Sequence, residues 1–331
     1  MSEKQIVLSG IRPTGQLHLG NFLGVLKRFA AFSQRSDYQC YFFVADLHAL
    51  TTLNSETVQI QKHLNNIILD YLAAGVDPEK SSIFIQSQIP ETLELYWYLA
   101  CLTSVNELER IPTFKDKIRL HPENVNAGLL NYPILMAADI LGPQANFVPI
   151  GKDQKPHLEM AAELAKKFNR IFGTTFPIPD ALEEEMILVP GLDGSGKMGK
   201  SEGNTINLND SPSVIEGKLR KAMTDPARIK RNNPGTPSKC NVFTLHSLVS
   251  SNEEQQECSS GCLDASIGCA GCKAILARNI NLILGEFQTK RAELTLNQNI
   301  VQEVLEAGHS QARRIISKTV NDVKEKIGMI W

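Results

Sequence analysis

A short segment near the start of the sequence carries side chains that suit phosphate chemistry. Residues 18–21 read His-Leu-Gly-Asn and follow a turn rich in glycine, proline and threonine. A helix that begins near Gly20 presents free backbone N–H groups to an anion, and His18 and Asn21 add side-chain donors. Gly20 also lets a flat base or ribose approach the backbone. The motif alone is a weak signal, because a turn histidine is more often structural or solvated than catalytic.

A second segment, residues 192–204, holds four glycines and the lysines Lys197 and Lys200. The glycines predict a mobile loop, and two lysines three residues apart can reach one polyphosphate. The spacing is not that of a P-loop. In isolation, a flexible surface loop is the simpler interpretation. Together with the histidine motif, however, the segment predicts a nucleotide site.

Five of the seven cysteines crowd into residues 240–272. A chain without export signals uses such a cluster for metal ligation before disulfides. Four of the five have spacings that suit one shared site: Cys240, Cys262, Cys269 and Cys272. Four thiolates bind either structural zinc or a [4Fe–4S] cluster, and spacing alone favours zinc. Cys258 is left over, and the isolated Cys40 and Cys101 are expected to be buried packing residues.

A helical pattern between the two phosphate motifs carries one carboxylate in an apolar run. Tyr132, Met136, Asp139 and Ile140 fall on one face at helical spacing. Burial of Asp139 without a partner would be costly, so its carboxylate must meet a donor. Either a ligand N–H or a structural partner, such as an arginine or a helix N-terminus, satisfies this demand.

The elements that position these residues alternate between strand and helix. Short apolar runs predict strands, which we place at residues 5–10, 40–45, 82–86 and 146–150. Continuous apolar strands separated by helices are typical of a parallel sheet covered on both faces, an α/β fold. Ligands bind at the carboxyl ends of such strands, where Gly10, Asp46 and Gly151 lie.

After about residue 205 helical patterns dominate, which predicts a catalytic domain over residues 1–205 and a helical domain over 206–331. The 42% hydrophobic share and the lack of a long apolar run indicate a soluble, cytoplasmic protein without a membrane span. The net charge of −2 argues against a general nucleic-acid binder but leaves room for a local basic face. A basic stretch in 218–231 is either a solvated face or an RNA-facing surface.

In these motifs the sequence resembles the tryptophanyl-tRNA synthetases within the class I aminoacyl-tRNA synthetases. Besides the two phosphate motifs, residues 46–50, 107–110, 132–140 and 151–154 match the family. The resemblance implies a Rossmann-like catalytic domain with an inserted helical segment. It also implies a C-terminal all-helical domain that binds the tRNA anticodon. The reaction implied is the activation of L-tryptophan with ATP and Mg²⁺, followed by transfer to tRNA(Trp).

The resemblance also assigns the site residues. His18, Asn21, Lys197 and Lys200 are implied to be catalytic. The residues implied to bind ATP are Arg12, Pro13, Thr14, His18, Gly20, Asn21, Gly151, Lys152, Asp153, Leu188, Lys197, Met198, Gly199, Lys200 and Ser201. Those implied to bind tryptophan are Leu8, Ser9, Gly10, Tyr132, Met136, Asp139, Ile140, Val148 and Gln154, with Asp139 on the indole nitrogen.

A subset of the family carries a [4Fe–4S] cluster at a very similar cysteine spacing, which moves the expectation from zinc to the cluster. The sequence departs from the family at three positions, where Gly199 replaces a serine, Lys152 an acidic residue and Arg12 a glutamine. The family is dimeric, and residues 94–103 offer an apolar helix face, although core packing explains that face slightly better. The alternatives are a tyrosyl enzyme, a non-catalytic RNA-binding protein and a nucleotidyltransferase with another substrate.

Overall fold

A computed structural model of the protein describes residues 4–51, 59–120, 122, 125–151, 154–182, 187–200 and 202–330. Contacts along the backbone group the chain into two compact units, and both are discontinuous in sequence. The first consists of Met1–Thr14, Phe29–Met186 and Gln298–Trp331, and the second of Gly15–Arg28 and Ile187–Asn297. The chain therefore groups differently from the division predicted at residue 205, and the anticodon-binding role of residues 206–331 stays a prediction.

The first unit is built on a parallel sheet of five strands in the order β3-β2-β1-β4-β5. The strands are β1 (Gln5–Ile11), β2 (Tyr38–Val44), β3 (Ser81–Ile85), β4 (Phe147–Val148) and β5 (Asp180–Ala181). The four predicted strands are present, because continuous apolar runs mark strands covered on both faces. The two-residue β5 was not predicted, since so short a strand leaves no apolar pattern.

The strand order reverses between β1 and β4, and such a switch point is where parallel sheets bind ligands. Nine helices flank the sheet within the described part of this unit. They are α2 (Lys27–Ser33), α3 (Asp46–Leu50), α4 (Ile60–Ala73), α5 (Pro90–Cys101), α6 (Val105–Glu109), α7 (Pro112–Leu120), α8 (Ala127–Leu141), α9 (Lys155–Phe172) and α14 (Ile300–Lys326). The first two residues of α2 belong to the second unit. The predicted α/β architecture is confirmed.

The long helix α14 returns from the end of the chain to pack on β3. His309 Nε2 accepts a hydrogen bond from the backbone N–H of Ile85 at 3.1 Å, and Ser82 Oγ donates to Gln311 Oε1 at 2.6 Å. Gly308 lets the two backbones meet, because a Cβ built there would lie 1.9 Å from the carbonyl oxygen of Ile83. The helix thus covers a strand edge that would otherwise expose unpaired backbone groups.

Gly308→Ala is expected to destabilise the first unit, because the added methyl group meets strand backbone that cannot rotate away. Overpacking of this kind costs about 2–3 kcal/mol in the free energy of unfolding. Chemical denaturation monitored by circular dichroism measures this loss. Gly285→Ala is the matched control, since a Cβ at Gly285 meets no atom within 4 Å. Equal stability of the two variants would contradict the close approach of α14 to β3.

The second unit joins a short N-terminal segment to a set of helices. The N-terminal segment consists of α1 (Leu19–Asn21) and a π-helical turn (Phe22–Leu26). The longer helices are α10 (Pro212–Lys221), α11 (Asn241–Val249), α12 (Asn252–Leu263) and α13 (Cys269–Leu296). Two short 3₁₀ turns, Gln86–Gln88 in the first unit and Pro237–Lys239 in the second, complete the elements.

The structure also tests the expected burial of Cys40 and Cys101 and the expectation that no helix spans a membrane. Cys40 is buried on β2 as predicted, but Cys101 is exposed at the end of α5. The correction has a simple cause, because Cys101 lies on the face of α5 opposite to the buried Leu95 and Leu99. Among the described helices, none combines the length and apolar character that a membrane span requires.

Candidate functional site

The histidine motif forms the start of a helix in the second unit. His18 is the N-cap of α1 in an extended conformation, and its backbone N–H donates to Asn21 Oδ1 at 3.1 Å. Asn21 thus serves the helix start itself. A Cβ at Gly20 would lie 2.9 Å from the imidazole of His18, so the absence of a side chain at Gly20 makes room for this ring. The sequence interpretation reserved that space for a ligand instead.

The lysine segment is a turn closed by backbone hydrogen bonds. Met198 N donates to Val189 O at 2.9 Å and Gly191 N donates to Gly196 O at 2.8 Å, which makes a small antiparallel pairing. Gly194 and Gly196 have positive φ angles of 74° and 105°, a conformation that favours glycine. The loop therefore presents its lysines on a defined backbone.

A buried asparagine closes the far side of this loop. Asn204 Oδ1 accepts from Gly199 N at 3.0 Å, and its amide nitrogen donates to Asp193 Oδ1 at 2.9 Å. A Cβ at Gly199 would lie 2.8 Å from Cγ of Glu202, the side chain that a residue larger than glycine would have to displace. Met198 is buried, whereas Lys197 is exposed.

The two motifs are joined within the second unit by a short antiparallel pairing. Leu19 N donates to Ile206 O at 2.8 Å and Leu208 N donates to Leu17 O at 3.0 Å. The pairing places the histidine motif beside the chain that leaves the lysine loop. The half-buried Lys200 lies near enough to His18 for its charge to lower the pKa of the imidazole. Two segments about 180 residues apart thus form one cationic site.

The surroundings of His18 strongly lower the pKa of its imidazole. Burial and, second, the charge of Lys200 lower its pKa to about 4. Among the described residues, its Nδ1 has no hydrogen-bond partner although the atom is buried. The imidazole is therefore neutral near pH 7 and can donate one hydrogen bond without adding charge.

The histidine resonances in a ¹H–¹³C NMR titration are expected to show His18 neutral down to about pH 5, with a midpoint near 4. In the unfolded chain histidine takes up its proton at about pH 6.5. The unfolded state therefore binds more protons between these values, and stability from this group falls as the pH drops from about 6.5 towards 4. The spectrum of His18→Asn identifies the resonance. A midpoint above 6 would contradict the buried placement of the ring.

The first unit holds the predicted carboxylate in a polar pocket. Asp139 on α8 is 7% exposed, and its Oδ2 accepts from His48 Nε2 at 2.9 Å. Gln86 Nε2 donates to both carboxylate oxygens at 2.8 Å. Burial raises the pKa of Asp139, and the hydrogen bond from His48 opposes that shift. The structural partners are thus His48, on the helix α3 that follows β2, and Gln86, directly after β3, and not the arginine or helix N-terminus considered above.

A second hydrogen-bond chain runs from the same helix to α9. The Tyr132 hydroxyl lies 2.7 Å from Thr113 Oγ1 and 2.8 Å from His157 Nε2. His157 Nδ1 lies 3.0 Å from Gln154 Oε1. Because an amide oxygen only accepts, His157 donates from Nδ1 and accepts at Nε2. The chain fixes the orientation of both Tyr132 and Gln154.

The remaining predicted residues divide between the two units. In the first unit the structure places Leu8, Ser9, Gly10, Arg12, Pro13, Thr14, Met136, Ile140, Val148 and Gly151 along β1, α8 and β4 or the chain that follows these strands. In the second unit Leu188 is 66% exposed beside the lysine loop. Lys152, Asp153 and Ser201 lie outside the described residues. Burial lowers the pKa of Arg12, opposed by Tyr132.

The five clustered cysteines meet in the second unit. Cys269 and Cys272 lie in the first turn of α13, where free N–H groups favour thiolates. Burial raises the pKa of Cys272, and the charges of Cys258, Cys240 and Cys262 raise it further. Arg228 approaches Cys262 Sγ to 3.5 Å. The thiols thus lie close enough to raise one another's pKa, and a bound cation would relieve the repulsion that arises when they ionise.

The basic stretch is partly used within the fold. Lys218 forms a salt bridge of 2.5 Å with Asp210, and Arg228 donates to the backbone carbonyls of Ile267 and Arg231. The other four cations, Arg220, Lys221, Lys230 and Arg231, are exposed. An exposed position of these four cations agrees with a solvated face and with an RNA-facing surface alike.

The functional residues that sequence reasoning missed mostly act as hydrogen-bond partners of the predicted site residues. Gln86, Thr113, His157 and His246 carried no motif of their own, and His48 was matched only as part of residues 46–50. Gln86 had one usable signal, because a polar residue directly after a buried strand lies at the ligand-binding edge of a parallel sheet.

Comparison with known proteins finds relatives that align with this chain over nearly the whole length of both proteins. The profile of a family described as tRNA synthetases class I (W and Y) matches residues 1–285. A tryptophan–tRNA ligase of Deinococcus radiodurans is 42% identical over 327 residues, which cover 98% of each chain. The tryptophan–tRNA ligase of Thermotoga maritima is 38% identical over 328 residues, which cover 98% of this chain and 99% of that one. A crystal structure of tryptophanyl-tRNA synthetase from Campylobacter jejuni, complexed with ADP and tryptophan, superposes with a TM-score of 0.86 at 33% identity, covering 98% of this chain and all of that one.

Proposed function

The chain belongs to the class I tryptophanyl-tRNA synthetases, and we propose that it activates L-tryptophan with ATP and transfers it to tRNA(Trp). The observation that carries the proposal is the joining of the two phosphate motifs in one unit, with Lys200 acting electrostatically on His18. The pairing of residues 17–19 with residues 206–208 brings neutral hydrogen-bond donors and ammonium groups together. Several donors and charges suit a triphosphate better than a single phosphate, because a triphosphate has more oxygens and more charge.

In the first step an oxygen of the tryptophan carboxylate attacks the α-phosphorus of ATP. The bond to the bridging oxygen breaks, and pyrophosphate leaves with the electron pair. The attacking carboxylate is already ionised, so no strong general base is needed. Catalysis then consists of positioning and of neutralising the charge that grows on pyrophosphate. His18 and Asn21 supply neutral donors, and Lys197 and Lys200 supply charge.

Magnesium fits this scheme as an ion that arrives with ATP. Among the described residues, the only group of three candidate metal donors is His246, Cys258 and Cys272. These soft ligands do not suit magnesium, which prefers oxygens and is often held largely by substrate phosphates. The ion would neutralise phosphate charge together with the lysines. We assign the predicted ATP residues, from Arg12 to Lys200, as ATP ligands.

The selectivity for tryptophan is assigned to Asp139 and its frame. An indole offers an apolar surface with one N–H that can only donate. Asp139 is a hydrogen-bond acceptor held by His48 and Gln86, and it lies on a helix whose other buried residues are mostly apolar. Tyr132, Met136 and Gln154 would then line the substrate.

We assign the four cysteines Cys240, Cys262, Cys269 and Cys272 to a [4Fe–4S] cluster with a structural role, with zinc as the alternative. Their donor chemistry fits, because soft thiolates hold such clusters, and iron would relieve the repulsion that arises among these cysteines when they ionise. Iron and acid-labile sulfide near four per chain in anaerobically purified protein are the expected result. A colourless preparation that holds only zinc would exclude the cluster.

Two further parts of the proposal concern assembly and RNA. On the predicted face of residues 94–103, Leu95 and Leu99 are buried in the core, as the core interpretation expected. A homodimer contact is therefore assigned to the exposed Leu93 and Trp97 of the same helix, at 44% and 63%, and light scattering on the purified protein tests it. The exposed cations of residues 220–231 are assigned to tRNA. A cytoplasmic location stays a prediction.

The function is tested by amino-acid-dependent exchange of pyrophosphate into ATP. Exchange with tryptophan and with none of the other nineteen amino acids is the expected result, followed by charging of tRNA(Trp). Exchange driven by tyrosine would transfer the assignment to a tyrosyl enzyme. Binding of tRNA without any exchange would instead support a non-catalytic RNA-binding protein.

A further inference from the structure

A second group of soft donors lies in the cysteine pocket. His246 on α11, Cys258 on α12 and Cys272 on α13 bring one donor atom each to within 4.8 Å of one another. His246 and Cys258 are fully buried at 0% exposure. Two of these residues are outside the four-cysteine set, since Cys258 was left over by the spacing and His246 carried no motif.

The distances within this group match the edges of a tetrahedral metal site. Bonds of about 2.3 Å to sulfur and about 2.0 Å to nitrogen, at the tetrahedral angle, separate the two ligand atoms by about 3.5 Å. His246 Nε2 lies 3.3 Å from Cys272 Sγ and 3.9 Å from Cys258 Sγ. Both nitrogen–sulfur distances therefore lie near the separation of two ligand atoms on one metal ion, and helices α11, α12 and α13 each supply one of the three donor atoms.

The other nitrogen of the imidazole is oriented as in metal-binding histidines. His246 Nδ1 lies 2.7 Å from Ser250 Oγ, and that hydroxyl also accepts from Asn279 Nδ2 at 2.9 Å. Ligating histidines donate from their second nitrogen to such a partner, which fixes the ring and its tautomer. Asn279 is in turn held by Glu254 Oε2 at 2.6 Å.

The ring can change from a structural to a ligating role without moving. His246 Nε2 also lies 3.1 Å from the backbone carbonyl oxygen of Cys272, to which it donates when it carries the proton. If the proton resides on Nδ1 instead, Ser250 Oγ accepts it and the Nε2 lone pair faces the two sulfurs. A change of tautomer therefore prepares the donor set.

We propose that His246 Nε2, Cys258 Sγ and Cys272 Sγ bind one zinc ion in the chain that carries no iron–sulfur cluster. The two ligand sets share Cys272, so a cluster on the four cysteines and zinc on this group exclude each other. Binding releases the thiol protons of Cys258 and Cys272. The fourth zinc ligand comes from Cys240, at the N-cap of α11, or from Cys262, four residues after Cys258 on the same face of α12. The proposal is independent of the ligase activity proposed above.

The test uses the full chain, stripped of iron under reducing conditions and titrated with Co²⁺ alone as a coloured stand-in for zinc. One equivalent is expected to give the intense visible bands of a tetrahedral thiolate site. Cys258→Ser and His246→Gln are each expected to weaken this binding at least about tenfold. Cys269→Ser, which removes a ligand of the four-cysteine set alone, is the matched control and should leave it unchanged.

A second measurement needs no variant, which matters because Cys258 is fully buried. Zinc X-ray absorption on the wild-type chain, stripped of iron and loaded with one equivalent of zinc, is expected to show one nitrogen at about 2.0 Å and three sulfurs at about 2.3 Å. Four sulfurs and no nitrogen, or loss of cobalt binding in Cys269→Ser alone, would overturn the proposal. Pyrophosphate exchange measured on the same samples reports separately on the ligase function.

Discussion

Asp139→Asn is expected to lower kcat/KM for tryptophan in pyrophosphate exchange about 100-fold. A hydrogen bond to a charged group is worth about 1.5–3 kcal/mol, and the upper value corresponds to this loss. The asparagine also places an NH₂ group opposite Gln86 Nε2, which now donates to both carboxylate oxygens. One amide must then turn away, and the acceptor for the indole N–H loses its orientation.

The same substitution is expected to change the stability little, because relief of the buried charge opposes the loss of the hydrogen bonds from Gln86. Burial raises the pKa of Asp139, so the ionised carboxylate is less favourable in the folded than in the unfolded chain. For an acid whose folded pKa is raised, stability falls as the pH rises through that value. Asparagine removes this cost at neutral pH. A melting temperature that rises while exchange falls would mark a residue kept for function.

An analogue of tryptophan with sulfur in place of the indole N–H separates recognition from general damage. The wild-type enzyme is expected to prefer tryptophan strongly, and Asp139→Asn to treat both substrates alike. Asp70→Asn, the same change at a buried aspartate of α4, is the matched control for loss of a buried carboxylate. If Asp139→Asn still discriminates against the analogue, Asp139 does not contact the indole nitrogen.

The sheet was predictable from sequence because its strands are covered on both faces. The run over β2 is almost uninterruptedly apolar, and that burial needs helices on both sides. The role of α14 was not predictable. Its amphipathic period requires an apolar partner but does not name one, and the helix covers β3, more than 200 residues earlier. Its assignment to a helical domain over residues 206–331 followed from the helical patterns that dominate after residue 205.

In the candidate site, too, local sequence marked single residues, whereas their partners from distant parts of the chain could not be predicted. The sequence marked Asp139 because a carboxylate in an apolar run needs a partner. The partners His48 and Gln86 lie 91 and 53 residues away, and only the parallel strand order brings them to one edge. His246 had no signal at all, since a single histidine on an amphipathic helix is usually a packing residue.

Lys200→Ala is expected to lower kcat in pyrophosphate exchange about 10²–10³-fold while the KM for ATP changes little. Lys200 is half-buried and its charge reaches His18, so its ammonium is screened less than that of the exposed Lys197. Lys197→Ala, the same change in the same loop, is expected to cost less. Lys200→Arg keeps the charge and should recover part of the rate.

The same variant tests the coupling between the two motifs directly. Without the Lys200 charge, the pKa of His18 is expected to rise above about 4, although burial, the larger cause, still holds it below its ordinary value. The NMR titration of His18 in Lys200→Ala measures this shift, and Lys197→Ala is expected to leave it unmoved. A raised KM with kcat unchanged would mean that Lys200 binds ATP equally in the ground and transition states. An unshifted His18 would mean that the two motifs act independently, because only a charge close to the imidazole can move its proton equilibrium in this way.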